Sequence, residues 1–194
     1  MNQKIARKGK VIIFSAPSGA GKTSIVRSLL KRINALEFSI SACSRAPRTN
    51  EVNGKDYFFM QAEEFKENIK KEHFLEWEEV YENHFYGTLK SELNRIWADS
   101  KVVIFDVDVK GGISIKKQLG DVALSIFVMP PSIIELENRL RQRKTETEEK
   151  IQQRVAKATV ELEDSKHFDL VLNNDILEHA IDEAESIILK FIAK

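Results

Sequence analysis

The stretch Val11-Ile12-Ile13-Phe14-Ser15-Ala16-Pro17-Ser18-Gly19-Ala20-Gly21-Lys22-Thr23 decides the fold. Its first four residues are apolar without a break, the pattern of a parallel strand buried on both faces. Pro17 and the two glycines stop that strand, and Ile25, Val26, Leu29, Leu30 and Ile33 then recur at helical spacing. A strand, a glycine-rich turn ending Gly-Lys-Thr and a helix are the context in which a phosphate-binding loop has physical meaning. Glycines let the backbone curl so that its N–H groups converge on phosphate oxygens, and the helix N-terminus adds the positive end of its dipole. Ala16 to Thr23, with Ser24, are therefore expected around the phosphates of a nucleotide such as ATP. Lys22 would reach the β and γ phosphates, and the Thr23 hydroxyl would ligate Mg²⁺. Ala16 stands where the motif has its first glycine. A turn that merely happens to be glycine-rich is the competing reading, and the Gly-Lys-Thr ending with both flanking elements weighs against it.

Three later segments repeat the buried-strand pattern: Val102–Phe105 before Asp106, Leu124–Val128 before Pro130-Pro131, and Phe168–Leu172 before Asn173-Asn174-Asp175. Helical patterns lie between them, and the last carries Leu177, Ala180, Ile181, Ala184, Ile187, Ile188 and Phe191 on one face. Strands alternating with helices imply an α/β fold with a parallel sheet and helices on both faces. Asp106 falls at the carboxyl end of its strand, where open α/β sheets place ligand-binding groups. It suits a hold on Mg²⁺ through water, with strand-end solvation or helix capping as the alternative. Asp108 would share its face if the strand continues.

Residues 37–90 read differently. Asn53-Gly54 is a hairpin-type turn signal, and Tyr57-Phe58-Phe59 and Phe74-Leu75-Glu76-Trp77 look like short strands, so an α+β subdomain is expected to interrupt the core. The polar run from Arg139 through Lys150 to Arg154 is expected to be a solvated helical hairpin or a mobile flap. The expected partition is a core of residues 1–36, 91–138 and 155–194, an inserted subdomain of 37–90, and a flap of 139–154.

Thirty basic residues balance thirty acidic ones among 194, so the overall field gives no reason to expect a nucleic-acid or membrane partner. Anion recognition must then be local. A single cysteine, Cys43, excludes an internal disulfide, and with four scattered histidines it builds no zinc site of the usual spacing. A reducing, cytoplasmic setting is the simplest fit. The basic N-terminus runs into too short an apolar stretch to be a signal peptide or a membrane span.

Within the expected insertion, Ser44-Arg45-Ala46-Pro47-Arg48 sets two guanidinium groups three residues apart in a segment that Pro47 keeps from being helical. This loop is one of several pieces that together resemble the guanylate kinase family over nearly the whole chain. The others are Ala16 to Thr23, Ser41 onward to Arg48, Glu51-Val52-Asn53-Gly54-Lys55-Asp56-Tyr57, Phe74 to Trp77, Phe85-Tyr86-Gly87-Thr88, Asp106-Val107-Asp108 and Thr145-Glu146-Thr147-Glu148. The resemblance implies a P-loop nucleoside monophosphate kinase with a GMP-binding insertion and a helical lid. It also implies a Mg²⁺-dependent transfer from ATP to GMP, with dGMP expected as a second acceptor. It puts Arg45, Arg48, Tyr57 and Tyr86 on the GMP phosphate, and Ser41, Glu76 and Thr88 on guanine with Asp108 nearby. Arg139, Arg143 and Arg154 match the lid arginines, and Asn174 lies in the loop that approaches adenine. Lys144 departs from the family, which usually has glycine there.

The chemistry of the base supports the assignment separately. Guanine presents N1–H and N2–H₂ as adjacent donors, a pair that one carboxylate accepts at once and that adenine lacks, so Glu76 suits guanine. Three other readings compete. A kinase for a phosphorylated sugar would have no use for Glu76 with Ser41. A protein-binding module on the same scaffold would be expected to lose Lys22 or the lid arginines, which this chain retains. A regulatory GTPase fits Asp108-Val109-Lys110-Gly111 loosely, but no Asn-Lys-x-Asp guanine reader occurs.

Overall fold

The computed structural model describes residues 9–142 and 147–194. In chain order the strands are β1 (Val11–Ser15), β2 (Leu36–Phe38), β3 (Ala42–Cys43), β4 (Phe58–Phe59), β5 (Phe74–Tyr81), β6 (His84–Leu89), β7 (Val102–Val107), β8 (Ala123–Met129) and β9 (Leu170–Asn173). The helices are α1 (Lys22–Arg32), α2 (Ala62–Lys70), α3 (Lys90–Ala98), α4 (Val109–Leu119), α5 (Ile133–Gln142), α6 (Glu148–Glu163) and α7 (Leu177–Ala193). Two compact units result, one chiefly Glu37–Val103 and the other Lys10–Leu36 with Ile104–Lys194. The chain passes between them within β2 and within β7.

The larger unit is built on a five-stranded sheet of order β2-β7-β1-β8-β9, in which β1, β8 and β9 pair in parallel. Val11 to Ser15 are all fully buried, which is why this strand reads as an unbroken apolar run. Helices flank the sheet, so the fold is the α/β class expected of P-loop nucleoside monophosphate kinases. Ser15 Oγ donates to the Asp108 carbonyl at 2.9 Å, fastening the end of β1 to the start of α4. β9 begins two residues later than the sequence pattern suggests. Phe168 instead sits edge-on to Phe127, with ring centroids 5.3 Å apart, directly after a 3-10 turn at Asp164–His167. β7 stops at Val107, so the condition for Asp106 and Asp108 to share a strand face is not met. Asp108 caps α4, its carboxylate accepting the Gly111 N–H at 2.7 Å.

The polar stretch before and after the undescribed residues 143–146 is helical on both sides. α5 and α6 pack through Leu136, Leu140, Ile151 and Ala158, all buried, with Ile133 and Val155 at the margin. The helical-hairpin alternative thus holds for the described residues, and of those within 139–154 only Leu140 and Ile151 belong to this core, which is why the stretch reads as polar.

The smaller unit carries a four-stranded sheet of order β4-β3-β6-β5. Side chains alternate between the two faces of each strand, and an irregularity in β5 between Phe74 and Glu76 turns these two, which strict alternation would place together, to opposite faces. On one face Phe74 and Phe85 meet Phe65 of α2, stacked at 4.2 and 5.3 Å between ring centroids, and Ala42 completes the core. The other face takes Tyr86 and Thr88 of β6, with Glu76 of β5 directly opposite Thr88. The hairpin is not at Asn53-Gly54. There Gly54 donates to the Tyr57 carbonyl at 2.8 Å, but the bridge it closes is parallel and β4 pairs with β3 in parallel. The antiparallel hairpin joins β5 to β6 through Glu82-Asn83, where Asn83 adopts φ 59°. Asparagine tolerates that left-handed backbone better than most residues, so the signal was present in a dipeptide without glycine.

Candidate active site

In the larger unit the loop from Ala16 to Gly21 leaves β1 and curls onto the first turn of α1. Gly19 and Gly21 have φ of +98° and +93°, a region that side-chain-bearing residues rarely occupy. Gly21 is required on a second ground, because a Cβ there would fall 2.3 Å from Asn174 Nδ2. A cavity of about 350 Å³ opens above the loop. Ala16, Pro17, Ser18, Gly19, Gly21, Lys22, Thr23 and Ser24 line it from below, and Asp106 and Asp108 from the side. Ala20 does not line the cavity: it is fully buried, and its carbonyl accepts from Asn174 Nδ2 at 2.7 Å.

The cations and carboxylates of this cavity hold one another in place. Lys22 Nζ donates to the Asp106 carboxylate and, at 2.9 Å, to the Val107 carbonyl. Thr23 Oγ1 donates to the other Asp106 oxygen at 2.8 Å. A hydroxyl and a carboxylate thus stand side by side at the mouth of the loop, both oxygen ligands of the kind Mg²⁺ takes. Among the described residues no group of three or more His, Cys, Asp or Glu is placed to hold a metal, so further ligands would come from phosphate and water.

The residues assigned to the lid by resemblance divide. Arg154 lines the cavity and donates to Ser18 Oγ at 2.7 Å. Arg139 does not line it; its Nε donates to Glu135 at 3.0 Å and its Nη2 to the Asn174 carbonyl at 3.4 Å. Arg143 and Lys144 lie outside the described residues. Asn174, expected near adenine, is only 2% exposed and buttresses the phosphate loop from behind through Ala20. Sequence reasoning missed Lys157 and Glu161, which also line the cavity. Their spacing of three and seven residues from Arg154 puts all three on one face of α6, and that was the available signal. Burial raises the Glu161 carboxyl above its ordinary value, opposed by the charge of Lys157 and helped by that of Asp108.

The smaller unit assembles the second group of expected residues. Arg45 forms a two-pronged pair with Glu51, Nη1 to Oε2 at 2.6 Å and Nη2 to Oε1 at 2.7 Å, and donates from Nε to the Tyr86 hydroxyl at 3.1 Å. Its guanidinium lies over the rings of Tyr57 and Phe59, at 5.0 and 5.6 Å from their centroids. Arg48 is exposed, and its backbone N–H donates to Glu51 at 2.8 Å. Burial pushes the Tyr57 phenol up, against the pull of the Arg45 charge. Glu51 was not singled out in the sequence, yet it ties the two arginine positions together. Farther along the same sheet face, Thr88 Oγ1 donates to Glu76 Oε1 at 2.6 Å, which fixes where that carboxylate points. Ser41 is half-buried, its carbonyl accepting the Phe58 N–H at 2.9 Å.

The hydrogen bonds from Arg45, and then from the Arg48 backbone, lower the Glu51 carboxyl to about 2. A carboxyl lowered by folding stabilises the fold in full above its unfolded value, and that contribution is lost as pH falls through the folded value. Between pH 4 and pH 2, therefore, the wild type is expected to lose stability that a Glu51→Gln variant does not lose. Urea midpoints measured across that window check this, and parallel curves for the two proteins would contradict it.

No helix among the described residues is long and apolar enough to cross a membrane. The profile of the family described as Guanylate kinase matches residues 8–191. A guanylate kinase of Porphyromonas gingivalis is 51% identical over 187 residues, covering 95% of this chain and 99% of that protein. One from Bacteroides fragilis is 50% identical over 185 residues, covering 95% and 91%. Among solved structures, guanylate kinase from Anaplasma phagocytophilum superposes with a TM-score of 0.75 at 26% identity, covering 98% of this chain and 90% of that one. Identity at about half of all positions, over a span holding both the phosphate loop and the arginine pair, places the chain in the guanylate kinase family.

Proposed function

We propose that the protein transfers the γ-phosphoryl group of ATP to GMP in the presence of Mg²⁺, giving ADP and GDP, with dGMP as a second acceptor. The observation that carries the reading is the polar face of the smaller sheet. It carries the Arg45 guanidinium, braced by Glu51 and Tyr86, and a carboxylate, Glu76, that accepts from Thr88. A phosphate and a guanine edge on one nucleotide would satisfy both. In this reading 37–90 is the acceptor subdomain and 139–154 the lid.

The acceptor atom is a phosphate oxygen already ionised near neutral pH, so the reaction needs no general base from the protein. Its demands are alignment and neutralisation of two polyanions brought together. Two unit charges 4 Å apart interact by roughly 4 kcal/mol at an effective dielectric of 20, so several cations are needed. Arg45 and Arg48 would hold the acceptor, and Lys22 and Arg154 the donor phosphates. Arg139 would act from behind the loop through Asn174, and Arg143 belongs with the lid. Thr23 and, through water, Asp106 would hold Mg²⁺, which would supply positive charge to offset that of the phosphates. The phosphate loop would orient the donor by its N–H groups, and lid residues would keep water from the transferred group. Nucleotide substrates and a single cysteine, Cys43, suit a cytoplasmic setting.

The test is ADP release from Mg-ATP with GMP, dGMP, AMP, UMP or no acceptor. Turnover is expected with GMP and dGMP alone, and dependence on AMP, or on no acceptor, overturns the reading. In the same assay Glu76→Gln is expected to lower kcat/KM for GMP by roughly five- to a hundredfold, the worth of one bidentate base contact. Full GMP activity with AMP still refused would remove Glu76 as the reader of the base.

A further inference from the structure

We propose that Lys157 is a further phosphate ligand in the donor site, a third cation held against the nucleotide's polyphosphate beside Lys22 and Arg154. The inference rests on the reading of that cavity as the ATP site and goes beyond the residues that the phosphate loop and the lid arginines supply.

Three observations carry it. First, Lys157 lines the same cavity as the phosphate loop, and it sits one turn along α6 from Arg154, which already reaches Ser18 of that loop. The buried side of the helix is settled by Ile151 and Ala158 against α5, and the spacing 154, 157, 161 turns these three residues toward the cavity instead. Second, the charges around the cavity balance. Lys22, Arg154 and Lys157 face Asp106, Asp108 and Glu161. Asp106 is taken up by Lys22 and Thr23, and Asp108 by the start of α4, so the Lys157–Glu161 pair is the remaining one. A triphosphate carries several negative charges, and a cavity whose side chains carry no net charge binds it more tightly when its cations turn from their carboxylates to the ligand. Third, the pair has the asymmetry such a turn needs. Glu161 is 14% exposed and fixed in the wall, while Lys157 is 59% exposed and joined to it at 3.2 Å. An ammonium on a four-carbon stem redirects at small cost, and a contact at 3.2 Å lets this mostly exposed ammonium rotate toward a ligand. Glu161 thus keeps the ammonium at the cavity while no nucleotide is there.

The experiment compares Lys157→Ala and Lys157→Arg with the wild type in steady-state kinetics and in direct binding of ATP at several salt concentrations. Because Lys157 is mostly exposed, the fold should survive both changes, and a circular-dichroism melt verifies this. For Lys157→Ala the expected result is a roughly five- to tenfold rise in KM and Kd for ATP with KM for GMP unchanged, the scale of one exposed charge-assisted contact. The salt dependence of ATP binding should become shallower, since one cation fewer meets the phosphates. Lys157→Arg should restore most of the affinity. Unchanged ATP affinity and salt slope in Lys157→Ala overturn the proposal, as does an equal loss for both nucleotides. Failure of the ATP-site reading itself is distinguishable, because then the wild type would bind no ATP and show no GMP-dependent turnover.

Discussion

Replacing Lys22 with alanine is expected to lower kcat by roughly 10²–10³-fold, the usual effect of removing one preorganised group that neutralises developing charge. KM for GMP should change little, since Lys22 belongs to the phosphate-loop unit. The size of the effect comes from two losses at once. The ammonium no longer meets the phosphates. In addition, Asp106 loses the cation that stands against it and keeps only the Thr23 hydroxyl, so an under-compensated carboxylate faces an incoming polyanion. Lysine at this position is a compact point charge, 15% exposed and wedged between Asp106 and the Val107 carbonyl. The planar guanidinium of arginine does not fit that geometry, so Lys22→Arg should recover little. Rapid-quench measurement of a single turnover separates the chemical step from binding, and a Lys22→Ala enzyme with wild-type single-turnover rates would remove Lys22 from the mechanism.

Arg45→Ala is expected to raise KM for GMP by roughly a hundredfold, at about 1.5–3 kcal/mol for each hydrogen bond to a charged group. ATP binding should be nearly unaffected. The geometry makes a sharper statement about the partner. Arg45 is held by both oxygens of Glu51 and braced over Tyr57 and Phe59, so its guanidinium is preorganised before any acceptor arrives. Deleting it strands the Glu51 carboxylate where the acceptor's phosphate is expected, which adds repulsion to the lost attraction. The double variant with Glu51→Gln should therefore bind GMP better than Arg45→Ala alone, recovering about tenfold on the same energy scale. If the double variant binds GMP no better than the single one, Glu51 is structural and the repulsion argument is wrong.

Much of this was legible because it depends on short-range pattern. The run Val11 to Phe14 is apolar because that strand is buried on both faces, and its break at Pro17 and Gly19 is local chemistry. Arg45, Tyr57, Tyr86, Glu76 and Thr88 were each within reach of a motif. Tyr86, Thr88 and Glu76 share one sheet face through the register of β5 and β6, with its irregularity between Phe74 and Glu76, while Arg45 and Tyr57 lie just outside β3 and β4 and join them through the Arg45 contacts to Tyr86 and Tyr57. The Asn53-Gly54 hairpin failed for a related reason: a turn dipeptide specifies a bend, while which strands pair across it is decided by partners far along the chain.

The sequence by itself determined the phosphate loop, the alternation of strands and helices, and the residue types that a phosphate and a guanine would require, because each is encoded within a few positions. Only the tertiary structure decided which charges neutralise which. It gave Arg45 to Glu51 and Asp106 to Lys22 and Thr23, and it tied the Asn174 amide to the Ala20 carbonyl of the phosphate loop. It also brought Lys157 and Glu161 into the cavity. Side-chain pairing depends on distances between elements that are remote in the chain, and a Coulomb interaction that falls with separation cannot be assigned until those distances exist.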